Sequence, residues 1–537
     1  MSKGAPGLRG IKRRDPTARK PGASARTPPP RTSDPGDDAH LYSRITVALR
    51  ERITSGQILP GERLPSQRLL AAELRVSRNT ILRAYRELER EGWARSRVGR
   101  GTFASRPIIV PGSTPTWAPR FSAAVQRLTT PFLGEGHAAS PVPLDLACGK
   151  VAADPSIIEP FRQILDLVLE REGSRAFDPG PPAGLAVLRA AIAAHLGSSG
   201  ARVRPQEVLI TAGARQAIHL LASIFLDPGD AVILEAPSYR GAIQTFQSVG
   251  ARLICIPTDD RGLDVEALEG VMAHTKPKLI YTVPTFQNPS GITMTLQRRQ
   301  ALLDVAAHHG VLIVEDDPYW ELRYEGSQVP RIKSLDAGDL VIHIGTFSKL
   351  IFPGVRVGWM AGPARVLEQA TVAKAAQGMH VSSLSQWTMA RLLEESLLES
   401  HLRRASLRLR TKRDVFLAAL SRHSRGRLTF RRPEGGYYVW CRLPPPLQAA
   451  DFLKVAIARG VSFVPGPAFW PSGGDPYALR LCFAAVHEPG LEEAARRLGQ
   501  CMGEAEAGYA PLSDEAGVDG DAQCARMSGK LHGVTRS

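Results

Sequence analysis

Lys349 sits in the run GTFSKLIFPGVRVGWM (345–360), among small, hydroxylated and apolar residues, with Arg356 seven positions further on. An ammonium is costly to bury without a partner or a task. One such task is to form a Schiff base with an aldehyde. Other residues suited to that chemistry occur in separate runs. TAGARQAIHLLA (211–222) follows the apolar run EVLI and reads as the start of a helix. Gly213, Ala214 and Arg215 would then turn N–H groups and a positive helix end toward a phosphate. VEDDPYW (314–320) closes an apolar run with the paired carboxylates of Asp316 and Asp317, and an ionised carboxylate beside a pyridine nitrogen keeps that nitrogen protonated. PTFQNPSG (284–291) supplies Asn288, whose amide can bond a ring hydroxyl, and EAPSYRG (235–241) supplies Tyr239, whose ring can stack.

Each signal has an ordinary reading when taken alone. A Gly-containing strand–helix turn is commonly only a turn, an acidic pair after a strand serves as a metal site or a cap, Tyr239 fits a core, and Arg356 fits a surface loop. Their order around a serine–lysine pair is what carries weight. Together they meet the needs of pyridoxal 5'-phosphate, an aldehyde cofactor requiring a lysine, an acid at its ring nitrogen and a phosphate cradle.

The elements that must position these residues follow from patterning. Helical stretches such as LAVLRAAIAAHLG alternate with the apolar runs EVLITAG, AVILEAP, LICIPT, LIYTVPT, VLIVEDD and LVIHIGT. That alternation predicts an α/β domain over 141–504, with a mostly parallel central sheet and flanking helices. Residues 107–140 are turn-rich and read as a linker, and the polar tail 505–537 is expected to be disordered. No run of about 18 apolar residues occurs, so no membrane span is expected, and the N-terminus lacks the apolar stretch of a secretory signal. Six scattered cysteines form no CxxC pair. Buried free thiols, no metal site and a cytoplasmic protein are the expectation.

The net charge of +16 is unevenly spread. Residues 1–107 carry 23 Lys/Arg against 10 Asp/Glu, a net of +13, which leaves +3 for the rest. This concentration points to a polyanion, and nucleic acid is the usual one. Residues 1–38, rich in Pro, Gly, Ser and Arg, read as a disordered basic arm that is either solvated or DNA-contacting. From 39 to 106, Leu41, Ile45, Leu49 and Ile53 recur every four residues, Ser66 and Ser77 stand as N-caps of two further helices, and RVGRGT reads as a glycine turn between short strands. This is the order of a winged helix-turn-helix. Its third helix would bring Arg78 and Asn79 to base edges in the major groove of double-stranded DNA, with Thr80 and Arg83 on the same exposed face. Arg68 would clamp a phosphate, and Arg97, Gly99, Arg100 and Gly101 would contact the sugar–phosphate backbone from the wing.

The segment from LYSRITVALRERITSGQILPGERLPSQRLL to SRNTILRAYRELEREGWARSRVGRGTF resembles the GntR-family DNA-binding domain. That resemblance implies Arg68, Arg78, Asn79 and Thr80 as DNA-facing residues. Residues from 141 onward resemble fold-type I aminotransferases, with PEGGYYVW and FVPGPAFW as further markers in a smaller C-terminal α+β lobe. It implies that Lys349 forms the Schiff base with pyridoxal 5'-phosphate and that Asp316, in a D-x-x-Y pattern with Tyr319, faces the pyridine nitrogen. It further implies that Tyr319 and Asn288 hold the ring oxygen, and that Thr346, Ser348 and Arg356 complete the phosphate site with residues 213–215. Arg480, in YALRLCFA, matches the arginine that pairs a substrate carboxylate.

The fusion of the two is the architecture of MocR-type regulators. It implies a homodimer that binds an operator and senses an amino-acid-like effector or the cofactor itself. An active aminotransferase carrying a DNA-binding domain is the alternative. Two departures stand out. Pro179 lies where the family has a tyrosine reaching the partner subunit's phosphate, with Phe177 nearby, and AGARQ replaces SGSQQ, so that Arg215 adds charge.

Overall fold

The computed structural model describes residues 35–54, 57–59, 61–97, 101–105, 122–128, 142–149 and 155–508. They divide into two compact units, one within 1–120 and the other within 121–537.

The first unit consists of helices α1 (Pro35–Thr54), α2 (Gln67–Leu74) and α3 (Arg78–Arg90) and strands β1 (Ala94–Arg97) and β2 (Gly101–Ala104). The four-residue stripe of α1 buries Ile45, Leu49 and Ile53 against Leu70, Ile81, Tyr85 and Leu88. Each such side chain contributes about 1.5–3 kcal/mol on burial. Both helix starts are set by serine caps, as the sequence predicts. Ser66 accepts from the Leu69 N–H at 3.3 Å and Ser77 from the Thr80 N–H at 3.1 Å, each satisfying a donor that has no partner inside its helix. Between them, Arg75 turns the chain in a left-handed conformation. The wing pairs antiparallel, from Ala94↔Ala104 to Arg97↔Gly101. Its tip, with Gly99 and Arg100, lies outside the described residues.

Three boundaries differ from the sequence reading. Helix α1 starts at Pro35, inside the expected basic arm, most of which lies outside the described residues. The expected linker contains a short helix, Ala123–Arg127, and Arg127 donates to the Ser248 carbonyl at 3.0 Å, which ties this stretch to the second unit. The last helix, Glu488–Gly508, runs into the expected tail.

In the second unit a short strand β3 (Leu144–Asp145) precedes eight strands of one sheet: β4 (Val208–Thr211), β5 (Ala231–Ala236), β6 (Arg252–Asp259), β7 (Gly262–Leu263), β8 (Leu279–Thr282), β9 (Leu312–Asp316), β10 (Val341–Thr346) and β11 (Gly358–Ala361). Their order is β4-β11-β10-β9-β8-β5-β6-β7. The central run is parallel, whereas β11 is antiparallel to both β10 and β4, and β7 returns against β6. The sheet is therefore mixed. Strand β11 was not among the predicted runs: the loop from Thr346 to Gly358 is too short for a parallel crossover, so the chain turns back. The small lobe holds an antiparallel sheet of β12 (Thr429–Phe430), β13 (Tyr438–Arg442), β16 (Ala478–Cys482) and β15 (Val464–Pro465), while β14 (Val461–Ser462) pairs with β3. Among the described cysteines none is paired; Cys148, Cys441, Cys482 and Cys501 are buried and Cys255 is exposed. No helix among the described residues is long and apolar enough to cross a membrane.

Register divides the central strands into two chemical faces. Leu234, Tyr281 and Val314 align across β5, β8 and β9, and Thr282, Glu315 and His343 align one residue further on. Because side chains alternate along a strand, Tyr281, Asp316 and Thr346 share one face, and Glu235, Thr282, Glu315 and His343 share the other. Glu235 accepts from the Thr282 hydroxyl at 2.5 Å, the Val283 N–H at 3.1 Å and Gln287 Nε2 at 3.2 Å. Burial nevertheless pushes its carboxyl up to about 7. Folded protein thus keeps a proton here that the unfolded chain releases near pH 4.5. This contribution to stability is complete below that pH and is lost as pH rises toward 7. The urea midpoint of Glu235→Gln should therefore fall less between pH 5 and pH 8 than that of the parent chain. Equal falls would remove Glu235 from this account.

Candidate functional site

The acid of the site is fixed from the neighbouring strand. Asp316 closes β9 and is 2% exposed. The hydroxyl of Tyr281, on the neighbouring strand β8, donates to its Oδ2 at 2.6 Å. Its Oδ1 is buried with no hydrogen-bond partner, an expensive arrangement unless something else supplies a proton. Burial pushes the Asp316 carboxyl up to about 6, opposed by the Tyr281 hydrogen bond and by the positive charge of Lys349. The adjacent Asp317 belongs to other chemistry. It pairs with Arg331 Nε at 3.0 Å, Arg331 also reaches Glu321 at 2.7 Å, and the guanidinium lies 3.7 Å from the Trp320 ring centre. The two aspartates of EDD thus serve different partners, Asp316 taking Tyr281 and Asp317 taking Arg331.

Lys349 follows the end of β10 in a turn and is half-buried. Its Nζ donates to the Gly149 carbonyl at 2.6 Å, and the Tyr437 hydroxyl donates to the Lys349 carbonyl oxygen. Around the same turn a cradle of small and cationic groups forms. Thr346 Oγ1 donates to Ser348 Oγ at 3.1 Å. Arg356, itself left-handed, donates to the Ala212 carbonyl at 2.5 Å and lies 3.5 Å from Ser348 Oγ. Gly213 has φ +107°, and a Cβ added there would sit 3.1 Å from the Arg356 guanidinium. The helix Ala214–Phe225 opens at this point without a side-chain cap, its Gln216 and Ala217 N–H groups bonding the Gly213 carbonyl, and its positive end faces the cradle. Gly213, Ala214, Thr346, Ser348 and Arg356 are therefore brought together. Arg215 and Tyr239 converge at a neighbouring point: a Cβ on Gly241 would lie 2.4 Å from Tyr239 Cζ and 2.6 Å from an Arg215 guanidinium nitrogen.

Arg480, on β16, is 1% exposed. It donates to Asn288 Oδ1 at 2.9 Å and to the Ala147 carbonyl at 2.8 Å, and lies 4.2 Å from the Tyr438 ring centre. Asn288 and Arg480 thus meet from distant parts of the chain. The hydroxyl of buried Tyr319 donates to the Tyr438 hydroxyl at 3.1 Å. Tyr281, Tyr438 and the Gly149 carbonyl were absent from the sequence reading. Tyr281 was findable, because it shares a sheet face with Asp316 once β8 and β9 are taken as parallel neighbours. Pro179 and Phe177, at the place of the missing tyrosine, are exposed.

In the first unit Arg68, Arg78, Asn79 and Arg83 are exposed. Arg83 lies 4.7 Å from the Tyr42 ring centre and Arg97 lies 5.6 Å from that of Phe103. Thr80 differs from expectation. It is 3% exposed and its hydroxyl lies 2.7 Å from Ser77 Oγ, so it completes the helix cap and does not continue the outer face.

Comparison with known proteins agrees with both halves. The bacterial regulatory proteins, gntR family, model matches residues 41–104, and the aminotransferase class I and II model matches residues 144–498. The chain is 30% identical to the uncharacterized HTH-type transcriptional regulator YisV of Bacillus subtilis, over 86% of this chain and 97% of that one. It is 29% identical to the HTH-type transcriptional regulator TauR of Rhodobacter capsulatus, over 87% and 98%. Among solved structures, LysN, the alpha-aminoadipate aminotransferase of Thermus thermophilus complexed with N-(5'-phosphopyridoxyl)-L-leucine, superposes with a TM-score of 0.69 at 35% identity, covering 73% of this chain and all of that one. Domains of this fold and family use pyridoxal 5'-phosphate. With both domains in this order and such regulators aligned over nearly their whole length, the chain belongs to the MocR-type GntR-family regulators, a winged helix-turn-helix joined to an aminotransferase class I and II domain.

Proposed function

We propose that this protein binds an operator through its winged helix and senses, through its aminotransferase-type domain, either an amino compound bearing a carboxylate or the supply of pyridoxal 5'-phosphate. The observation that carries this reading is the buried Asp316 Oδ1, which lacks a donor in a site it shares with the amine of Lys349. Such an oxygen fits the protonated ring nitrogen of the cofactor. Lys349 would hold the cofactor covalently. Gly213, Ala214, Arg215, Thr346, Ser348 and Arg356 would hold its phosphate, Asn288 and Tyr319 its ring oxygen, and Tyr239 its ring face. When bound, the cofactor supplies a carbon at which primary amines exchange and a ring that withdraws electrons.

Arg480 would receive the effector's carboxylate through two parallel hydrogen bonds. Because it stands on the small-lobe sheet while Lys349 follows a strand of the central sheet, a ligand held by both would favour one arrangement of the lobes over another. In the proposed homodimer, two winged helices would then address two operator half-sites. Amino-transfer activity is the second reading, favoured by the meeting of Arg480 with Asn288. Regulation is preferred because amino transfer has no use for residues 41–104.

Three outcomes test the proposal. Purified protein incubated with pyridoxal 5'-phosphate should show a visible absorption band that Lys349→Ala lacks. Arg78→Ala should weaken operator binding by about tenfold or more while leaving that band intact; parallel loss of both would contradict independent roles for the two domains. Arg480→Met should weaken the response to amino acids and leave cofactor binding intact, whereas turnover of common amino acids at ordinary enzyme rates of about 1–1000 per second would favour the second reading.

A further inference from the structure

Beside the site built on Asp316, a separate cavity of about 190 Å³ opens between the helix Leu397–Ser424, the start of the helix Glu488–Gly508 and the turn that carries Lys349. It shares Lys349 and Tyr437 with the site described above. Its lining is apolar at Leu350, Ile351 and Leu409 and basic at Arg408, Lys412 and His487, with one acid, Glu488. Lys412 is the anomalous member. Its ammonium is half-buried and donates to the Ala484 carbonyl at 3.3 Å, and among the described residues no carboxylate forms an ion pair with it. Burial holds its pKa below the usual lysine value, with Glu488 pulling only in the opposite direction. A cation so placed, lining a partly apolar hollow with Glu488 in electrostatic range but not paired to it, lacks the direct ion pair that partly buried ammonium groups normally have.

We propose that this cavity is a second ligand site, which takes a small organic carboxylate with an aliphatic body. The carboxylate would sit on Lys412 and Arg408, and the hydrocarbon against Leu350 and Ile351. Charge-assisted hydrogen bonds would supply orientation and the apolar wall would supply burial. The occupant would pack on the residues directly following Lys349, next to Tyr437, which lines the same cavity and bonds the Lys349 carbonyl. A ligand here is therefore placed to bias the turn that carries the lysine. Binding itself does not depend on the cofactor reading.

The test is calorimetric titration of the full chain with 4-methylpentanoate and with its neutral amide, 4-methylpentanamide. The acid should bind at least about tenfold more tightly than the amide, and Lys412→Met should weaken the acid by about tenfold or more, the loss expected for one charge-assisted hydrogen bond. Lys412→Arg should retain binding, which separates loss of charge from loss of fold, and thermal melting of Lys412→Met checks the same point. Arg480→Met should bind the acid as the parent does. The proposal is overturned if the acid does not bind, if the amide binds equally well, if Lys412→Met is unaffected, or if Arg480→Met abolishes binding and so assigns the heat to the other carboxylate site.

Discussion

A single buried carboxylate organises the large domain. Asp316 receives the Tyr281 hydroxyl on one oxygen and nothing on the other. In a low-dielectric interior an acceptor without a donor costs about 1–3 kcal/mol, and more when it is charged. The fold sustains that cost through strands on both sides: β8 supplies Tyr281, β10 leads into the lysine turn, and Asp317, one residue past β9, pairs instead with Arg331. The acid is thus held in one orientation with one oxygen available, which is what recognition of a protonated ring nitrogen requires.

Burial alone does not select a lysine for covalent chemistry. Lys374 is 1% exposed, donates to the Pro182 carbonyl at 2.5 Å, and is held down to about 8 by burial. An amine so held down is a readier nucleophile near neutral pH than an ordinary lysine. Around Lys349, however, stand Thr346, Ser348, Gly213 and Arg356, together with the charge of Asp316. The distinction lies in the company of the amine, an acid at one end and a cationic cradle at the other.

Much of this was legible in the chain because local signals agree with one another. Serine caps, the four-residue stripe of α1 and the apolar runs of the parallel strands each follow from short stretches of sequence. What escaped depends on contacts remote in sequence or on single-residue geometry. The partnership of Arg480 with Asn288 joins a small-lobe strand to the turn that follows β8, and Tyr281 becomes a neighbour of Asp316 only once strand order is known. Strand β11 is four residues long, and its antiparallel return follows from loop length more than from its own pattern. Thr80 was misplaced because helical periodicity puts a first-turn residue on the outer face, while its hydroxyl folds back onto the cap.

The most direct measurement is borohydride reduction of the protein after incubation with pyridoxal 5'-phosphate, followed by digestion and mass spectrometry of the labelled peptide. A phosphopyridoxyl group on Lys349, at about one per chain, is the outcome the geometry requires. Label on Lys374 or dispersed over surface lysines, or none at all, would contradict the role assigned to Lys349 and leave the large domain without its sensing chemistry.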